Sequence, residues 1–104
     1  MHALIQERRE EIAAICRRHG VRRLEVFGSA ARGDDFDPAV SDVDFLLEID
    51  PERGSTFSMA DYFNLRDELA QALDRPVDLV FPDSVRNPYV RADIEHSREV
   101  VHAA

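Results

Sequence analysis

Along residues 3–19 the apolar positions Leu4, Ile5, Ile12, Ile15 and Cys16 recur three, four, seven and eight apart, with Glu and Arg on the opposite side. That spacing predicts one amphipathic helix, and Gly20 follows as the residue that ends it. The period then shortens. VRRLEVF at 21–27 alternates through Leu24 and Val26 and predicts a strand that runs into Gly28-Ser29. Residues 29–33 suit one helical turn, and DDFDPAV at 34–40 reads as a loop broken by Pro38. SDVDFLLEI at 41–49 is a second strand, closed by Pro51 to Gly54. A helix is expected from about Ser58 to Leu73, with Ser58 as N-cap, Asp61 three residues on, and Tyr62, Leu65, Leu69 and Leu73 inward. PVDLVFP gives a short strand at 77–81, 87–97 a last helix, and REVVH at 98–102 an edge strand. The order α-β-α-β-α-β-α-β predicts an α/β (α+β) fold, a small mixed sheet of about four strands with helices packed on it.

One feature breaks the apolar logic of the second strand. Residues two apart in a strand share a side, so Asp42 and Asp44 lie on one face while Val43, Phe45, Leu47 and Ile49 pack on the other. Leu46 and Glu48 continue the aspartate face, which is therefore half apolar. In PVDLVFP the same parity sets Asp78 opposite to Val77, Leu79 and Phe81. If the two strands are neighbours, three carboxylates come within a few ångströms of one another. Such crowding is unfavourable without a counter-charge, and hard oxygen donors suit Mg²⁺ or Mn²⁺ completed by phosphate and water. A lone D-x-D is common, however, and Asp42 also suits a strand start and Asp78 a solvent-facing position.

The segment before that strand adds a second element. A strand that ends in Gly-Ser and opens a helical turn presents backbone N–H groups and a hydroxyl to an anion. Gly28 lets the backbone approach closely, Ser29 adds a donor, and Arg32 lies one turn later. Arg32 has two readings, steadying a phosphate or pairing with Asp34 or Asp35. Asp34, Asp35 and Asp37 themselves read as a solvated loop.

Composition narrows the classes. A length of 104 residues fits one domain, 1–104. The formal charge is −8, and all 13 basic residues are arginine. An acidic surface repels a phosphate backbone, so direct nucleic-acid binding is not expected, and a basic protein partner or a cation-collecting site fits better. Arg17, Arg18, Arg22 and Arg23 form a local exception, read as solvated surface with ion pairs or as a positive rim near a phosphate or partner. No apolar run nears the roughly 20 residues that cross a bilayer, and the start is charged rather than signal-like. A single cysteine, Cys16, excludes an intrachain disulfide and agrees with a cytoplasmic location. The four histidines show no zinc spacing, Ser29 has no evident histidine partner for a triad, and no P-loop occurs.

Gly28-Ser29-Ala30-Ala31-Arg32-Gly33 followed by Ser41-Asp42-Val43-Asp44 resembles the G-S-x-A-R-G…S-D-x-D signature of the minimal nucleotidyltransferases. These belong to the polymerase-β-like superfamily and include the MNT antitoxins of HEPN–MNT toxin–antitoxin pairs. The resemblance spans essentially the whole chain, from the first helix through PVDLVFP. It implies that Asp42 and Asp44 bind two Mg²⁺, that Asp78 is the third carboxylate, and that Gly28 and Ser29 hold the triphosphate of ATP. It also implies AMP transfer to a tyrosine of a HEPN-type ribonuclease toxin, which is thereby silenced. Two alternatives stay open: a small-molecule transferase similar to the aminoglycoside nucleotidyltransferases, working with a helical subunit, and an antitoxin that acts by binding alone.

Overall fold

The computed structural model describes residues 1–33, 37 and 42–104, so the expected 34–40 loop, apart from Asp37, and Ser41 at the expected start of the second strand lie outside the described residues. The alternating segments form β1 (Val21–Phe27), β2 (Val43–Ile49), β3 (Val77–Val80) and β4 (Glu99–Ala103). They make one mixed sheet in the order β3-β2-β1-β4. β1 runs antiparallel to β2 and β4, and β2 runs parallel to β3. A parallel pair needs a crossover, which α4 (Met59–Leu73) supplies. REVVH is indeed an edge strand, against β1.

The helices are α1 (Ala3–Glu7), α2 (Arg9–His19), α3 (Ser29–Arg32), α4 and α5 (Pro88–Ser97). Residues 3–19 are thus two helices, not one, interrupted at Arg8. The cause is tertiary. The His2 N–H donates to Ala30 O at 2.7 Å, anchoring the first turn beside α3. Past the break, the Arg9 guanidinium donates to the carbonyls of Val101 and Val100, both at 3.2 Å. Other ends follow local chemistry. Gly20 closes α2 in the left-handed region at φ 70°, and its N–H bonds Arg17 O and Cys16 O. Ser58 and Asp61 form a reciprocal capping box on α4, with the Ser58 N–H on Asp61 Oδ2 at 2.9 Å and the Asp61 N–H on Ser58 Oγ at 3.2 Å.

The sheet has two unlike faces. On one, Leu24, Val26, Val43, Phe45 and Leu47 meet Ile12, Ile15 and Cys16 of α2 and Leu65, Leu69 and Leu73 of α4 in the main core. Burial pushes the Cys16 thiol up to about 12, as expected of an inert core residue. On the other face a smaller cluster joins Phe27 and Leu46 to Ile94 of α5. Leu46 is apolar on the aspartate face because α5 covers it. Phe81 departs from the expected parity and is 38% exposed. β3 ends at Val80 and Pro82 opens a 3₁₀ turn, so strand alternation no longer governs Phe81, whose ring lies 6.1 Å from that of Tyr62. In the basic cluster, Arg18 pairs with Glu68 at 2.7 Å and Arg23 with Glu25 at 2.6 Å.

Candidate active site

The sheet register brings the predicted residues to one end of the sheet. Asp42 directly precedes β2 and is exposed, Asp44 is half-buried inside β2, and Asp78 is exposed near the start of β3. In the parallel ladder Asp44 and Asp78 stand opposite each other, about 4.8 Å being the usual strand separation. On its other side Asp44 faces Phe27, the last residue of β1. The next residue, Gly28, therefore turns directly beside the Asp44 carboxylate.

Glycine is needed at that turn for two reasons. Its φ is +73°, which L side chains rarely adopt, and a Cβ there would lie 3.0 Å from Asp44 Oδ2. The turn opens α3, with Ser29 half-buried at its first position. Ala31 N–H and Arg32 N–H both bond Gly28 O at 3.1 Å, which closes the turn from inside. Gly28's own N–H is taken by Ser97 Oγ of α5, at 2.9 Å.

Charge is distributed unevenly here. Burial, then the negative charges of Asp78, Asp42 and Asp93, push the Asp44 carboxyl up to about 6, with Arg32 pulling the other way. Arg32 forms an ion pair with Asp93 of α5, a partner far along the chain that the sequence did not indicate. Its alternative partners Asp34 and Asp35 lie outside the described residues; Asp37 is exposed.

Among the described residues no three carboxylate, imidazole or thiolate groups form a ready-made metal cage. The donor chemistry nevertheless fits a hard dication. Beyond burial, Asp78, Asp42 and Asp93 each add negative charge at Asp44 that a cation would relieve, and Arg32 offsets part of it. A cleft of about 200 Å³ lies elsewhere, lined by Arg18, His19, Arg53, Thr56, Phe57 and Asp61, and contains none of the predicted site residues. Asp93 and Ser97 escaped the sequence reading. Their four-residue spacing puts them on one helix face, but nothing local says what that face meets. Among the described residues no helix is long and apolar enough to cross a membrane.

Comparison with known proteins bears on this arrangement. Residues 9–101 match the family described as Nucleotidyltransferase domain. A chain of Methanocaldococcus jannaschii, provisionally named a protein adenylyltransferase, is 36% identical over 93 residues, covering 82% of this chain and 89% of its own. A solved structure provisionally assigned as a minimal nucleotidyltransferase superposes with a TM-score of 0.71 at 30% identity, covering 95% of each chain. The fold is also shared, at 20% identity and a TM-score of 0.64, with a structure of the tri-AMPylated Shewanella oneidensis HEPN toxin in complex with MNT antitoxin. That match covers 96% of this chain and 73% of the other.

Proposed function

We propose that this chain, which belongs to the nucleotidyltransferase domain family, moves AMP from ATP to a hydroxyl of a partner protein, a tyrosine of a HEPN-type ribonuclease toxin, and so acts as its antitoxin. Nucleotidyl transfer is the activity of the family, and it is the activity of this chain. The choice of AMP and of a protein acceptor is supported by the name of the Methanocaldococcus jannaschii relative and by the AMPylated toxin bound to the MNT antitoxin of like fold. The observation that carries the reading is the register: Asp44 lies between Asp78 and the Gly28 turn, with Asp42 adding charge to the same end of the sheet.

Asp42, Asp44 and Asp78 would hold Mg²⁺, two ions in the family pattern. When bound, these ions would neutralise charge on the triphosphate and acidify the acceptor hydroxyl. The chain's own groups supply the remaining parts. Gly28 leaves the space a β-carbon would fill, the Ser29 hydroxyl donates to a phosphate oxygen, and Arg32 contributes positive charge. Asp78 is exposed, so a docked acceptor can reach it. It accepts the proton as the acceptor oxygen forms its bond to the α-phosphorus. The bond from that phosphorus to the bridging oxygen breaks, and pyrophosphate leaves with the electron pair. The net charge of −8 favours a basic partner, as an RNA-cleaving protein would be.

The test is to incubate the chain with the product of its neighbouring gene, Mg²⁺ and ATP, and to weigh that product by mass spectrometry. Added AMP on a tyrosine is expected, and its loss when Asp42→Asn and Asp44→Asn are combined. Neutralisation of the toxin that survives both substitutions would instead indicate an antitoxin that works by binding. An unmodified partner, with ATP consumed only on addition of a small acceptor, would indicate a small-molecule transferase.

A further inference from the structure

α5 touches the Gly28 turn at both of its ends. Ser97 and Asp93 stand four residues apart on one face of that helix, with Ile94 beside them buried against Phe27 and Leu46. Ser97 Oγ donates to Asp93 O at 2.6 Å, which fixes the hydroxyl so that its lone pair accepts the Gly28 N–H at 2.9 Å. At the far end of the turn, Arg32 Nη1 donates to Asp93 Oδ1. The second Asp93 oxygen lies 4.0 Å from where a Gly28 Cβ would stand. One helix face thus grips the first and last residues of the segment to which triphosphate binding is assigned above.

We propose that Asp93 is a positioning residue for nucleotide, holding the Arg32 guanidinium at the mouth of the carboxylate cluster while Ser97 holds the Gly28 turn. This rests on the reading of the turn as the triphosphate site. A free arginine side chain samples many rotamers, and tethering one guanidinium nitrogen removes most of that freedom before the ligand arrives. A guanidinium has five donors, so contact with Asp93 and contact with a phosphate do not exclude one another. Both side chains are 42% exposed, so the pair is weak enough to adjust when a more highly charged anion enters. Asp93 serves by direction rather than by charge, since its own negative charge opposes a phosphate.

The experiment is a double-mutant cycle read by Mg²⁺–ATP binding, using isothermal titration calorimetry on the full chain. Asp93→Ala and Arg32→Ala should each weaken ATP binding roughly three- to tenfold. Together they should be no worse than Arg32→Ala alone, because Asp93 acts through Arg32. Asp93→Glu, which keeps the tether, should recover part of the loss, and AMP binding should change less than ATP binding. Circular dichroism melting of each variant checks that the fold is retained. Losses that multiply in the double variant, or tighter ATP binding by Asp93→Ala, would overturn the positioning role while leaving the nucleotidyl-transfer reading intact. A wild-type chain that fails to bind Mg²⁺–ATP would overturn the site assignment itself and this role with it.

Discussion

Glu25 and Asp44 are acidic residues on the same face of the same sheet, on adjacent strands, and each is acted on by a charged side chain of α5 or its C-cap. Their surroundings are opposite. Glu25 is 2% exposed and is held by Arg23 Nε and Arg98 Nε, each at 2.6 Å. Burial alone would raise its carboxyl, but the hydrogen bonds and charges of Arg98 and Arg23 outweigh burial and keep it below the usual carboxylate range. Asp44 has more solvent and receives less help: burial and three further aspartates raise its carboxyl, and among the described residues Arg32 acts against them. A fold that can place two arginines on one carboxylate has left the other beside Asp42, Asp78 and Asp93. The first carboxylate is compensated by cationic partners, whereas the second carries negative charge that a proton or a cation would relieve. The difference in compensation is what marks Asp44, rather than the more deeply buried Glu25, as the acid for the proposed site.

The largest expected effect comes from removing the uncompensated charge. Asp44→Asn should lower AMP transfer by about a hundredfold or more, since it deletes a proposed metal ligand, and the fold should remain intact. Modified partner quantified over a time course measures this. Transfer within a few-fold of wild type would break the contrast.

The reciprocal substitution should show the reverse pattern. Glu25→Ala leaves two guanidinium groups facing a void in the sheet and should destabilise the chain by about 2–3 kcal/mol. Transfer per folded molecule should stay near wild type. Urea denaturation alongside the transfer assay checks both halves. A stable variant would mean that the arginines find other partners.

The smallest effect is a pH signature, and the two acids should carry opposite signs. The native carboxyl of Glu25 lies low, so the folded state binds fewer protons there than the unfolded chain does. Its stabilisation is present above about pH 4.5 and is lost as pH falls. The native carboxyl of Asp44 is raised from 3.8 to about 6, so the folded state binds more protons there. Without divalent ions, stability should therefore decline as pH rises from about 4 to 6, by of the order of 1–2 kcal/mol after allowance for partial exposure. Thermal melts in chelator across that range, wild type against Asp44→Asn, isolate this contribution, because the asparagine variant cannot titrate. Added Mg²⁺ should flatten the wild-type decline and bind more tightly as pH passes 6. A wild-type profile parallel to that of the variant would remove Asp44 from the comparison.

Much of this was legible in the chain itself. Strand parity put Val43, Phe45 and Leu47 in the core and Asp44 on the other face, and the structure agrees, because alternation is a property of the backbone alone. Ser58 with Asp61, and Gly20, marked helix ends through contacts that span a few residues. The glycine–serine turn and the paired aspartates were visible as a pattern, and their resemblance to the minimal nucleotidyltransferases anticipated the family. Residues 3–19 divided into two helices where local periodicity indicated one, since His2 and Arg9 are drawn to partners on α3 and β4. Phe81 turned outward because its strand ended sooner than the pattern implied.

The tertiary structure decided what the polar side of the sheet would meet. A strand records which residues share a face, but the helix that covers that face is set by chain crossovers with no local signature. Arg98 reaches Glu25 across 73 positions, and Asp93 reaches Arg32 across 61. One helix with its C-cap thus compensates one acid and adds negative charge beside another. The sequence by itself set Asp44 and Asp78 on the polar faces of their strands and a glycine turn after β1, through short-range backbone geometry. Which carboxylates would be compensated depended on the long-range placement of α5, because charges interact through space and not along the chain.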